Sequence, residues 1–232
     1  MKKNKLSRNI YVWVGIIILA SGYYIYTSNS GKSLKNSSDS SSMSFFITSV
    51  NPGKGADLGG LVGADMYCKT LAENSGIKGK EWRAYLSITA RETEKSVNAR
   101  DRIGNGPWYN YKGELIASNL DELHSVNAIT KATALTEKGE VVSGRGDDVN
   151  VHDILTGSND MGMLVATSTD TTCNNWTSSD KGSAYVGHHD RIGINDSAPM
   201  KSWNSSHLTR GCSLEALKSS GGGGLFYCFA AK

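Results

Sequence analysis

Two hydrophobic periodicities share this chain. "SFFITSV", from Ser44, is a run of β-formers, and "WRAYLSI" alternates Trp82, Ala84, Leu86 and Ile88 against Arg83, Tyr85 and Ser87, the pattern of a half-buried strand. Between them, "LGGLVGADMYCKTLAENSG" sets Leu61, Ala64, Cys68, Leu71 and Ala72 at helical spacing, with Gly76 as a C-terminal stop. Short helical turns are predicted at "ARDRIG" and "NLDELHS", around a hairpin over "PWYNYKGELIA". A second hairpin is predicted at "KATALTEKGEVVSG", where Lys138-Gly139 divides two β-prone runs. Thereafter the segments are short: "MLVAT", "NNWTSS", "SAYVG", "KSWNSS" and "GLFYCFAA". One early helix followed by many short strands predicts an α+β domain with an irregular, loop-rich second half.

The N-terminus follows another rule. "MKKNKLSRN" is basic, and the uncharged run Ile10–Tyr26 holds seventeen residues. At about 1.5 Å rise per residue that run approaches the ~30 Å hydrocarbon core. Residues 1–27 therefore read as a signal-anchor that leaves the C-terminal bulk outside, or as a signal peptide cleaved near Gly22, after the small-residue triplet Ala20-Ser21-Gly22. Residues 28–43 form a Ser/Asn-rich tether with little to bury, and residues 44–232 form the domain. Either route exports it.

Charge separates these segments. Residues 1–43 carry six basic residues and one acidic, or +5; of the chain's 25 basic and 22 acidic residues, 19 and 21 remain, or −2. A near-neutral domain offers no general electrostatic footprint for nucleic acid or heparin, and both partners are disfavoured. Export gives meaning to the four cysteines, Cys68, Cys173, Cys212 and Cys228: an even number favours two disulfides, with three possible pairings. The chain has no Gly-x-Ser-x-Gly elbow, phosphate loop or dinucleotide fingerprint.

"GGLVGADMYCKTLAENSGIKGKEWRAYLSI" resembles the opening of the endostatin domain of certain collagens, where Gly-Ala-Asp leads into a cysteine-bearing helix and an Arg-Ala-aromatic-Leu-Ser strand. "DILTGSNDMGMLVATSTDTTCNNWTS" resembles that family's Gly-Ser-x-x-x-Gly segment ending in Cys-x-x-Trp, and "LFYCFAA" its closing strand. The resemblance runs from about Phe45 to the C-terminus. It implies a C-type-lectin-like fold with nested disulfides, Cys68–Cys228 outside Cys173–Cys212. The endostatin zinc histidines and heparin-binding arginines have no counterparts here. Trp203-Asn204-Ser205 ahead of Cys212 is similar in order to the calcium lectins' Trp-Asn-Asp, but the acid is a serine and the Glu-Pro-Asn triplet is absent.

Polar and aromatic residues cluster in the second half. Asn174, Asn175, Trp176, His189, Asp190, Trp203, Asn204 and His207 suit a glycan site, with indole stacking on a pyranose face and amides forking onto hydroxyls. Trp203 is expected to be partly buried, with Asn204 and His207 facing the ligand. Against this stands ordinary packing: a Trp beside a disulfide reads as core, buried Asn and His satisfy loop backbones, and His188-His189-Asp190 reads as solvated loop. His152, Asp153, His188 and His207 are candidate ligands for a zinc-type ion, without HExxH spacing. Asp147, Asp148, Asn150 and Asp153 are candidates for calcium, without EF-hand spacing. Asn98–Arg102 reads as a salt-bridged helical turn, and Arg145-Gly146-Asp147 is an adhesive tripeptide that also arises by chance. The expectation is an exported binding module for a carbohydrate or extracellular-matrix-type polymer. A metal-assisted hydrolase built on the His/Asp cluster and a purely structural or adhesive module are the alternatives.

Overall fold

The computed structural model describes residues 42–165 and 167–231. The expected signal-anchor over residues 1–27, and all but the last residues of the tether, lie outside them. Among the described residues no helix is long and apolar enough to cross a membrane.

The fold is mixed α+β. Strand β1 is Phe45–Ile47, helix α1 Gly60–Asn74, β2 Trp82–Ala84, and a 3-10 turn spans Ala99–Arg102. The first predicted hairpin is β3 (Trp108–Tyr109) against β4 (Leu115–Ala117), followed by the short α2 (Leu120–Leu123), which the Asn119 side chain caps. Then come β5 (Asp153–Leu155), β6 (Tyr185–His188), a 3-10 turn at Pro199–Lys201, β7 (His207–Leu208), α3 (Leu214–Ser220) and β8 (Gly222–Ala230). The second predicted hairpin closes with one bridge, Leu135 to Val141. Among the described residues, "MLVAT" and "KSWNSS" form no strands: Leu164 makes a single bridge to Ser158, and the side chain of Ser202 bonds its own loop.

The last strand organises the molecule. In the six-stranded sheet β8 lies between β1 and β5, β2 also pairs with it, and β6 and β7 continue outward from β5. Phe45 and Trp82 pair near Phe229 and Ala230, whereas β5 runs parallel to the strand's first half.

Both faces of the sheet are packed. Phe46, Trp82, Ala84, Leu155, Phe226 and Cys228 join Ala64, Cys68 and Ala72 of α1 in one cluster. Phe45, Ile47, Tyr85, Ile154, Tyr227 and Phe229 form another with Trp108, Ile116 and Trp203. Alternate side chains of one strand thus feed opposite cores. For this reason Tyr85 and Ser87, expected on a solvent face, are both fully buried.

The disulfides are Cys68–Cys228 and Cys173–Cys212, nested as the resemblance implies, with Cα separations of 5.6 and 5.7 Å. The outer one ties α1 to β8, and no cysteine is free. Such bonds belong to an oxidising compartment.

Candidate metal centre

Strand register builds a cluster of imidazoles at one end of the sheet. Asp153 of β5 and His188 of β6 are direct antiparallel partners, so both side chains leave the same face. His207 of β7 pairs with Val186, two residues before His188 and therefore on that face too. His152 precedes Asp153, and its ring stacks on His188 with centroids 4.1 Å apart and 11° between planes. Two glycines permit the crossing of chains. A Cβ at Gly187 would lie 1.8 Å from the carbonyl oxygen of Trp203, and one at Gly144 would lie 2.6 Å from Asp190 Oδ2.

Three histidines converge on one oxygen. The Nε2 atoms of His152, His188 and His207 lie 3.2, 3.3 and 3.5 Å from Asp153 Oδ1. His152, Asp153 and His188 are buried, and the His207 side chain is 29% exposed at the mouth. Asp153 Oδ1 and Oδ2 and His188 Nε2 are buried without a hydrogen-bond partner among the described residues. Such orphans are costly in a folded interior.

The far ring nitrogens decide the tautomer. His152 Nδ1 faces Asp190 Oδ1 at 3.2 Å, His188 Nδ1 faces the Met200 carbonyl at 2.8 Å, and His207 Nδ1 faces the Leu208 carbonyl at 3.0 Å. Each oxygen can only accept, so each Nδ1 carries the hydrogen. Any ring that is neutral then turns an Nε2 lone pair toward the carboxylate, although contact with Asp153 raises His207 and favours its proton. Only a cation or added protons relieve that repulsion. Protonating every ring would place three charges around one carboxylate and stack two imidazolium rings face to face. A single dication would satisfy the facing atoms of His152, Asp153 and His188, which lie within 4.8 Å of one another, with His207 at the edge of the group. Donors about 2.0–2.1 Å from a tetrahedral zinc lie roughly 3.4 Å from one another, close to the distances of the three Nε2 atoms from Asp153 Oδ1.

The surroundings agree. Burial pushes the Asp153 carboxyl up, but the imidazoles of His188, His207 and His152 outweigh burial and hold it below its ordinary value. Burial likewise opposes ionisation of Asp190, and His152 with the Arg145 and Ile192 amides prevails and holds it well below. Contact with the Asp153 side chain raises His207, its burial notwithstanding. A carboxylate behind a ligating imidazole fixes the tautomer and strengthens the donor, the arrangement that supports metal-bound histidine. The nitrogen-rich set excludes calcium, which takes oxygen ligands. Nor are the calcium candidates gathered: Asp147 pairs with Lys131 at 2.6 Å and accepts the Gly144 amide, whereas Asp153 faces imidazoles.

The glycan candidates went elsewhere. Cys173, Asn174, Asn175 and Trp176 form one left-handed turn, with φ of 47, 57, 55 and 66°. Left-handed backbone costs an L-residue roughly 1–2 kcal/mol, so this turn is held from outside. The Asp170 carboxylate accepts the Thr172 and Asn174 amides, Cys173 is bonded to Cys212, and Trp176 Nε1 donates to the Ser87 carbonyl at 2.8 Å. Asn175 is buried; its Oδ1 accepts the Thr89 amide at 2.9 Å, and its Nδ2 donates to the Thr89 carbonyl at 2.9 Å. Asn174 is exposed, its carbonyl and side-chain oxygens taken by Arg91. Trp176 is fully buried, which removes its indole from any sugar face.

Trp203 and Asn204 also lie inside, at 3% and 1% exposure. Trp203 packs on Tyr85 and Tyr227, and Asn204 Nδ2 donates to Tyr85 Oη at 3.0 Å and to the Asn159 carbonyl at 3.1 Å. The expected partial exposure of Trp203 and ligand-facing role of Asn204 are thereby corrected: the irregular loops needed internal partners, and these side chains supply them. His189 is buried, its Nε2 meeting the Ser143 carbonyl, and burial pushes the ring down to about 4. His188-His189-Asp190 is thus interior and not a solvated loop.

The centre opens onto a cleft of about 550 Å3 whose walls include His152, His188 and His207 with Arg145, Arg210 and Lys218. These three cations carried no signal in the sequence, because they lie on separate segments that only the fold assembles. Neither the family models nor the curated proteins contain a match to this chain.

Proposed function

We propose that this domain is an exported, metal-dependent binding module of C-type-lectin-like architecture. Its centre of His152, Asp153 and His188, with His207 at the mouth, takes one zinc-type dication, and its cleft captures a carbohydrate of an extracellular polymer. The carrying observation is the buried group of His152, Asp153 and His188, whose ligand atoms lie within 4.8 Å of one another, with Asp153 and His188 atoms left unpartnered among the described residues and His207 Nε2 3.5 Å from Asp153 Oδ1 at the mouth. The fold reading draws support from the nested disulfides, the early helix tied to the closing strand, and the loop-rich second half. Residues 1–27 serve in this reading as the export segment or anchor.

Binding is favoured over hydrolysis on the composition of the cleft. Asp153 is committed to the centre, Asp190 to His152, and the described lining residues include no carboxylate to serve as a separate base. A ligand oxygen would approach the centre from the His207 side, where it meets solvent.

Metal analysis and calorimetric zinc titration of EDTA-stripped protein test the centre, and a glycan array with and without zinc tests the module. The expected result is one zinc per chain, with glycan capture that EDTA abolishes and zinc restores. Folded protein that takes up no zinc, or that captures glycan equally in EDTA, would overturn the proposal.

A further inference from the structure

The cleft joins two surfaces of opposite character beside the centre. On one are Arg145, Arg210 and Lys218, all exposed. None of their side chains makes an ion pair or hydrogen bond among the described residues. The arginines and lysines elsewhere are often engaged: Arg83 and Arg102 with Asp65, Lys131 with Asp147, Lys201 with Asp196. The second surface is apolar, with Ile194 75% and Leu208 41% exposed. Ser219 and Ser220 add hydroxyls at the rim.

We infer that the cleft selects an acidic sugar, a uronate-type residue whose carboxylate meets the Arg145, Arg210 and Lys218 cations while its C–H face lies on Ile194 and Leu208. This rests on the carbohydrate reading of the same site. Guanidinium forks match carboxylate geometry, and an anion replaces the missing partners of three clustered cations. A bare inorganic anion would use the cations and leave the apolar wall in water. The volume, about 550 Å3, lies within the range of small-molecule pockets, more than one ion needs. His188, which lines the cleft, is a further sign that something is bound here: it is buried, and its Nε2 has no hydrogen-bond partner among the described residues. The domain's overall −2 does not argue against this, because selectivity depends on the local field.

The test uses the zinc-loaded full chain and tri-galacturonate, with its methyl ester as the neutral twin. The acid is expected to bind at least tenfold tighter than the ester. An Arg145→Ala/Arg210→Ala double variant is expected to lose at least tenfold for the acid, with zinc content, ester binding and melting temperature unchanged. Equal binding of acid and ester, or a double variant that binds the acid like the parent, overturns the inference. So does competition by inorganic phosphate or hexaglutamate as strong as that by the uronate, since either would mark a general anion site. The two readings fail separately. Zinc uptake without acid discrimination sinks this inference alone, and acid discrimination in protein that takes no zinc sinks the metal centre alone.

Discussion

Two buried polar clusters in this molecule look alike in composition and differ in satisfaction. The turn at Cys173–Trp176 is a closed system: the Asn175 amide is matched on both sides by Thr89, the Trp176 indole has its carbonyl, and strained backbone is held by Asp170 and a disulfide. The His152–Asp153–His188–His207 cluster is closed only on its outer side, where each Nδ1 has an acceptor, and open toward its centre. A polar cluster whose hydrogen bonds close on themselves stabilises a fold; one that leaves buried polar atoms facing one another without partners is arranged for something else.

Substitutions can break that contrast or sharpen it. The largest effect is expected at Trp176→Ala: loss of a fully buried indole costs about 3–5 kcal/mol, read by urea denaturation, with zinc stoichiometry intact in whatever fraction folds. Next, His188→Ala is expected to weaken zinc at least a hundredfold in calorimetry, with a stability cost from its lost buried volume and the stranded Met200 carbonyl. Unchanged zinc affinity in the folded variant would erase the distinction between the clusters. Asn175→Ala comes third, at roughly 2 kcal/mol, since it strands buried Thr89 groups; zinc affinity should not change. The smallest is Asp190→Asn, which weakens the acceptor behind His152 and should cost about tenfold in zinc affinity.

Much of the fold was legible. The spacing of Leu61, Ala64, Cys68, Leu71 and Ala72 placed α1, and Gly76 (φ 88°) follows its end. The apolar runs at Phe45 and Leu225 became β1 and part of β8, because side chains buried on both faces leave continuous hydrophobic sequence. The site was legible only in kind. His152-Asp153 and His188 stood out as metal-ligating types, yet no spacing joined residues 152, 188 and 207, which are adjacent through strand pairing. Trp203 and Asn204 misled for a related reason. A Trp-Asn pair has the same composition whether it faces a sugar or fills the space beneath Gly187.

By itself the chain's sequence determined its local elements, its class, and the oxidising setting that four paired cysteines require, since these follow from short-range periodicity and composition. Tertiary structure alone decided which polar residues close on one another and which are left facing a common point. That outcome depends on the register of β5, β6 and β7, a relation between distant segments that no local pattern encodes.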